Sequence, residues 1–320
     1  MSVKIIKEKE AWNQVVYSFR QWDAAHEWGY FSAFHVRDPH NEPLLFFYES
    51  SSGRVAYPFL RGRLDESTED YQLQAVYGYT GPLIEGTSNE EEIWKEFTEA
   101  FANYCRNTKV SKVEERFHPL LANDYPLFKE TNKRKVRDVV LIETAPESIL
   151  EESYSRKDKR RGMKRARKNG IEVFTEGIEH LERFLELYYQ TMDHNQAAEI
   201  YYFERDFFLT LAEEFQERLV LFNAYLENQI IESALYLYTP LCAYSFLTAR
   251  DLAYSSYHAN NLVSQKAYAF FYKKGIQRVN EGGGRTSDPE DSLFRFKQGF
   301  TKKNSTVPEI FPYYQATTRL

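Results

Sequence analysis

The hydrophobic positions of the second half of the chain alternate between two periods. In IEHLERFLELYYQTM (Ile178–Met192), Leu181, Phe184, Leu185 and Tyr188 recur at helical spacing, and ERDFFLTLAEEFQE (Glu204–Glu217) repeats the pattern. Three apolar runs with short connections follow: RLVLFNAYLE, QIIESALYLYT and CAYSFLTA. They read as strands, the first two joined by a hairpin turn at Asn228–Gln229. NLVSQKAYAFFYKKG then reads as a helix ending at Gly275, IQRVNE as a strand, Gly282–Gly284 as a tight loop, and DSLFRFKQGF (Asp291–Phe300) as a helix capped by Asp291. A last strand is expected near STVPEIF. Upstream, PESILEESYS (Pro146–Ser155) is expected to run on as one helix through a basic stretch to Gly170, with IEVFTE (Ile171–Glu176) as a strand.

The first half gives a looser version of the same order. VKII is a strand, residues 11–19 a helix, and PLLFFYES, RVAYPFLRGR and QLQAVYG a meander. SNEEEIWKEFTEAFANYCRN (Ser88–Asn107) is a helix whose Ser88 and Glu91 have capping-box spacing. VEERFHP and KVRDVVLIE are strands. The fold class is therefore a mixed α/β (α+β) architecture in two similar halves, with largely antiparallel sheets and one crossover. The boundary is expected near ETAPES, giving domains at 1–144 and 145–305.

Composition changes this picture in one place. At 320 residues, with 42% hydrophobic residues, 24 Tyr and 24 Phe, the chain can bury a large core. Cys105 and Cys242 read as free thiols in a reducing compartment. The N-terminus lacks the apolar run of a secretory signal, and no stretch is long and apolar enough for a transmembrane helix; a cytoplasmic location, with visits to the inner face of the membrane, is expected. The net charge of −6 argues against a generic nucleic-acid coat. Yet residues 156–168 hold nine Lys or Arg against one acid, Asp158. Arg161, Lys164, Arg165 and Lys168 share one side of that helix, and a row of fixed cations suits an anion such as a diphosphate, although a solvated face has the same composition. Gly162 within the helix is expected to weaken it by ~1 kcal/mol relative to Ala.

Four stretches read together, YGYTGPL (Tyr77–Leu83), KDKRRGMKRARKNGIEV, YHANNLVSQKAYAFFYKKG and GGGRTSDPEDSLFRFKQGF, resemble the Fem-type aminoacyltransferases of peptidoglycan synthesis and their relatives in the GNAT acyltransferase superfamily. The resemblance implies two tandem GNAT-like domains with a cleft between them, residues 306–320 returning to the first. It implies transfer of an amino acid from aminoacyl-tRNA to an amine of a nucleotide- or lipid-linked envelope precursor, without a resident cofactor. The position matching the family's diphosphate-binding arginine is Arg165, with Lys164, Arg161 and Lys168 beside it. Phe296 and Lys297 match the family's Phe-Lys pair near the acyl donor, where an ammonium stabilises a developing oxyanion. Tyr77 and Tyr79 are candidates for stacking on the precursor, with a structural turn accounting for them equally; Gly283 is a candidate for lining the substrate channel, although a structural turn accounts for it better. The helical arm of some Fem members is missing.

Two other functions stay open. One is acyl-CoA-dependent transfer to an amino-sugar or small amine. It is disfavoured because DLAYSSYHANNLVSQ, ahead of the crossover helix, has no glycine to let a pyrophosphate reach the backbone. The other is non-catalytic binding of phosphate or RNA. The seven scattered histidines show no metal-ligand spacing.

Overall fold

The computed structural model describes residues 1–87, 90–125, 127–128 and 131–320. In chain order the elements are β1 (Ser2–Ile6), α1 (Lys9–Ser18), α2 (Trp28–Arg37), β2 (Glu42–Ser50), β3 (Gly53–Arg63), β4 (Tyr71–Gln74), β5 (Leu83–Gly86), α3 (Glu90–Asn107), β6 (Val110–Arg116), β7 (Asn132–Glu143), α4 (Glu147–Ser153) and α5 (Lys157–Lys168). They continue as β8 (Glu172–Glu176), α6 (Leu181–His194), α7 (Arg205–Phe215), β9 (Leu219–Leu226), β10 (Gln229–Tyr238), β11 (Ala243–Arg250), α8 (Ala259–Lys273), β12 (Arg278–Gly282), α9 (Ser292–Gln298) and β13 (Ile310–Arg319). The chain divides into two compact units, residues 1–136 with 312–320, and residues 137–311. The division falls inside β7, where the composition gave 144/145.

In the first unit β1, β2, β3 and β4 form an antiparallel series, β5 pairs with β3, β4 runs parallel to β6, and residues 315–319 of β13 run antiparallel to β6. Leu44, Phe46 and Tyr48 of β2 alternate onto one face and meet Ile93, Phe97, Phe101 and Cys105 of α3, whose helical spacing makes one apolar stripe. The capping position Ser88 lies outside the described residues. The helix α2 was not expected: WGYFSAFHVR is buried on several sides at Gly29, Tyr30, Phe31, Ala33 and Phe34, and a helix apolar around much of its girth carries little 3.6-residue signal.

In the second unit the antiparallel run β8, β9, β10, β11 is followed by β12, parallel to β11, and then by the 140–143 stretch of β7. α8 is the crossover. One sheet face carries Phe222, Ala234, Tyr236 and Tyr238 against Leu262, Val263, Ala267 and Phe271 of α8, with Met163 and Ala166 of α5 in the same core. α6 packs on β10 and β11 from the other face. The single helix expected over 146–168 is broken. Tyr154 is fully buried and bridges to Lys302, and the Ser155 N–H donates to the Thr301 carbonyl at 2.7 Å, which takes the backbone out of helical register. Among the described residues no helix is long and apolar enough to cross a membrane.

Candidate active site

Among the described residues β11 and β12 pair through Ala243↔Val279 and Tyr244↔Asn280, and beyond those pairs the two parallel strands part. Two bulges re-aim side chains at this place. The register of β10 on β11 shifts between Leu235 and Tyr236, and that of β12 on β7 between Asn280 and Gly282, so Glu281 is the extra residue. Gly282 follows at φ 71, a conformation that costs a side-chain-bearing residue energy. Its N–H donates to Asn280 Oδ1 at 2.9 Å. Val279, Asn280 and Glu281 are all buried, so the strand is covered on both faces here.

Glu281 accepts a hydrogen bond from the Tyr236 hydroxyl at 3.2 Å. Burial raises its pKa, and the Lys297 charge with the Tyr268, Tyr236 and Ser245 hydroxyls oppose that rise. Among the described residues Asn280 Nδ2 is buried without a hydrogen-bond partner. Lys297, on α9, donates from Nζ to the Gly283 carbonyl at 2.9 Å. Burial lowers its pKa to about 8, against the pull of Glu281 and Asp291 and with the push of Arg137. The site thus brings an ammonium that shed its water next to a carboxyl that is hard to ionise.

The glycine loop fixes this geometry. A Cβ on Gly283 would lie 2.8 Å from the Asp138 carbonyl oxygen and 2.5 Å from Arg137 Cδ, and one on Gly284 2.5 Å from Asp291 Oδ1. Arg137 donates to the Gly284 carbonyl. Asp291 is the helix cap its position suggested: Oδ1 accepts from the Leu293 and Phe294 N–H groups, each at 2.9 Å, and Oδ2 from the Thr286 N–H at 3.2 Å. Phe296 carries no reactive atom. Its ring lies under the Lys159 ammonium, 3.6 Å from Nζ to the centroid, and edge-on to Phe300.

Through that contact the basic helix reaches α9. Lys159 is 4% exposed, and burial lowers its pKa to about 8. Arg161, Lys164, Arg165 and Lys168 are exposed. Among the described residues their charges have no ion-pair partner, whereas Arg160 and Arg167 of the same helix pair with Glu152 and Glu151. Burial, with Arg165 and then Lys159 adding, lowers the pKa of His258, which sits at φ 60 just before α8. Lys159, Arg165 and His258 therefore form one positive neighbourhood. Gly162 has a positive role: a Cβ there would come within 2.6 Å of Asn261 Nδ2, so its absence lets α8 lie close to α5.

Tyr77 and Tyr79 belong to the first unit. The Tyr77 carbonyl accepts from the Tyr30 hydroxyl at 2.8 Å, and Tyr79 is buried, edge-on to Tyr313. The stretch after them is tied down by Asn123, which donates to the Thr80 and Pro82 carbonyls, and the same unit holds a buried His118–Asp23 pair at 3.0 Å.

Sequence reasoning named Lys297, Phe296, Gly283 and the outer cations of α5. It missed Glu281, Lys159, Arg137, Tyr236 and Tyr268. For Lys159 a signal existed: Lys159, Met163 and Ala166 fall at i, i+4 and i+7, on the buried stripe of the helix.

Residues 153–298 match the family model for an acetyltransferase (GNAT) domain. That segment of the chain is similar to GNAT-type acetyltransferase domains. Three solved structures extend the likeness to the whole fold. FemX superposes with a TM-score of 0.71 at 12% identity, over 100% of this chain and 98% of that one. A C-terminal domain assigned to a lysylphosphatidylglycerol synthetase from Agrobacterium fabrum gives 0.57 at 14% identity, over 97% and 92%. The L-PGS of Bacillus licheniformis gives 0.54 at 12% identity, over 97% and 91%. The chain thus shares the fold seen in FemX. No curated protein matches the sequence.

Proposed function

We propose that the protein is an N-acyltransferase that moves an amino acid from aminoacyl-tRNA to an amine on a nucleotide- or lipid-linked peptidoglycan or other envelope precursor, working in the cytoplasm at or near the inner membrane face. The observation that carries the proposal is Lys297: a largely desolvated ammonium held by the Gly283 carbonyl at the parting of β11 and β12, in a Fem-like fold. Such a cation stabilises the oxyanion formed when an amine attacks an acyl carbonyl, and it is worth more there than in water. The unpaired cations of α5, Arg165 first, are the groups that would hold the precursor's phosphates. A tRNA donor is favoured over acyl-CoA because the residues before α8 lack glycine and its first turn is buried at Ala259, Asn261 and Leu262 against its own unit.

The name of the matching family model favours a second reading, acyl-CoA-dependent transfer to an amino-sugar or small amine. Thermal unfolding with a UDP-linked peptidoglycan precursor, CoA or uncharged tRNA separates the two, because a ligand of the native state raises its apparent stability. The proposal expects a rise with the precursor that Arg165→Ala abolishes. A rise with CoA alone overturns it, and silence from all three leaves α5 a solvated face.

A further inference from the structure

The reaction as drawn uses Lys297 and leaves one proton without a carrier. Amide formation from an ester donor requires the attacking nitrogen to lose a proton and the departing alkoxide to gain one. Outside water these transfers need an acceptor and a donor within the site. Lys297 can be the donor. The groups that face it are Glu281 on β12, Arg137 on β7, Asp291 at the head of α9 and the Gly283 carbonyl; those that face Glu281 are Tyr236 on β10, Ser245 on β11, Tyr268 on α8 and Lys297 itself. Asp291 is consumed by three backbone N–H groups. Glu281 is the remaining carboxylate, set on a bulge and buried, with the Tyr236 hydroxyl donating to it and the Tyr268 hydroxyl beside it, while Nδ2 of the adjoining Asn280 is buried with no hydrogen-bond partner among the described residues. Unsatisfied buried polar groups are uncommon in folded proteins and mark a place where another polar molecule is expected.

We propose that Glu281 is the general base of the transfer and Lys297 its general acid; this deepens the acyltransfer reading of the same site and rests on it. The neutral amine forms the new C–N bond to the acyl carbon and gives one N–H proton to the Glu281 carboxylate. The C–O bond to the donor's ribose breaks, and Lys297 Nζ supplies the proton to that oxygen. The proton then passes from Glu281 to Lys297, which restores both groups, so no oxidant, metal or further reactant enters. Burial raises the Glu281 pKa and lowers that of Lys297, which narrows the gap the returning proton crosses.

The test is the pH dependence of amide formation by the full chain, with a pool of aminoacyl-tRNAs and a UDP-linked pentapeptide precursor, for the wild type, Glu281→Gln and Glu281→Asp. Gln keeps the shape and the Tyr236 contact. Glu281→Gln is expected to lower kcat by about 10²- to 10⁴-fold, with KM for the precursor nearly unchanged and the acidic limb of the profile gone; Glu281→Asp recovers part of the rate. Because Glu281 holds the Lys297 pKa up, the alkaline limb moves to lower pH in the Gln variant. A Gln variant with wild-type kcat and an intact acidic limb overturns the proposal. A second readout does not need turnover: 13C NMR of reductively methylated protein, the Lys297 resonance assigned by its loss in Lys297→Arg. Titration of Lys297 at about 8 in the wild type and lower in Glu281→Gln supports the pair. An ordinary lysine titration, or one that Glu281→Gln leaves in place, overturns it. A wild type that forms no amide from any donor counts against the function proposed above, and the NMR titration still decides this pairing.

Discussion

Lys297→Met should make the protein more stable at neutral pH while removing its activity. Met has nearly the length of Lys and no charge to desolvate. Burial brings the Lys297 pKa from 10.5 to about 8. A lowered base destabilises the fold wherever both folded and unfolded chains carry the charge, that is below about 8 here. A fall of that size corresponds to roughly 3 kcal/mol. Removing the ammonium also leaves the Gly283 carbonyl without its donor, which costs about 1 kcal/mol. The net expectation is a gain of roughly 1–2 kcal/mol at pH 7. The pH dependence is the sharper check. Between about 8 and 10.5 the unfolded wild type holds a proton that the folded form has lost, so wild-type stability rises with pH through that window and the advantage of Met disappears. Urea unfolding of both proteins at pH 7 and near pH 10 reads this directly, while kcat at pH 7 should fall by about 10²- to 10³-fold, as for loss of an oxyanion donor. A Met variant less stable than the wild type at pH 7, or a stability difference that ignores pH, refutes the reasoning.

Two further expectations concern the supports of the site. Gly162→Ala would raise helix propensity by ~1 kcal/mol on an exposed helix. Here it should lower stability by about 1–3 kcal/mol through overpacking against Asn261; Asn261→Ala in the same chain should recover much of that loss, as unfolding of the double-mutant cycle will show. In the first unit, burial and then the His118 charge depress the pKa of His26 from 6.5 to about 4. Stability contributed by its neutral form is complete above about 6.5 and lost as pH falls towards 4. Urea midpoints should drop across that window, by the equivalent of up to about 3 kcal/mol, and His26→Gln should flatten the slope.

The alternation of strand and helix patterns was enough to place most elements, because each of those segments buries one face. It failed where burial is two-sided or set by a distant partner. α2 has apolar residues around much of its circumference. The break at Tyr154 depends on Lys302 and Thr301, nearly 150 residues away, which no local pattern reveals. The same limit applies to the site. Lys297 and Arg165 were reached through motif likeness. Glu281 was hidden because β12 is buried on both faces, so no alternation marks its positions, and because the bulge that re-aims it is set by pairing with β7. In the basic helix, charge count concealed a division of labour. Arg160 and Arg167 are paired, Lys159 is sealed over Phe296 and Phe300 where Gly299 leaves room for its stem, and Arg161, Lys164, Arg165 and Lys168 stand exposed.

The most direct test of the account is mass spectrometry of a UDP-linked pentapeptide precursor incubated with the protein and either pooled aminoacyl-tRNA or acetyl-CoA, with Lys297→Met in parallel. A mass increase of one amino-acid residue on the precursor is expected, supplied only by aminoacyl-tRNA and lost in Lys297→Met. Acetylation from acetyl-CoA, or an aminoacyl product that Lys297→Met forms at the wild-type rate, would contradict it.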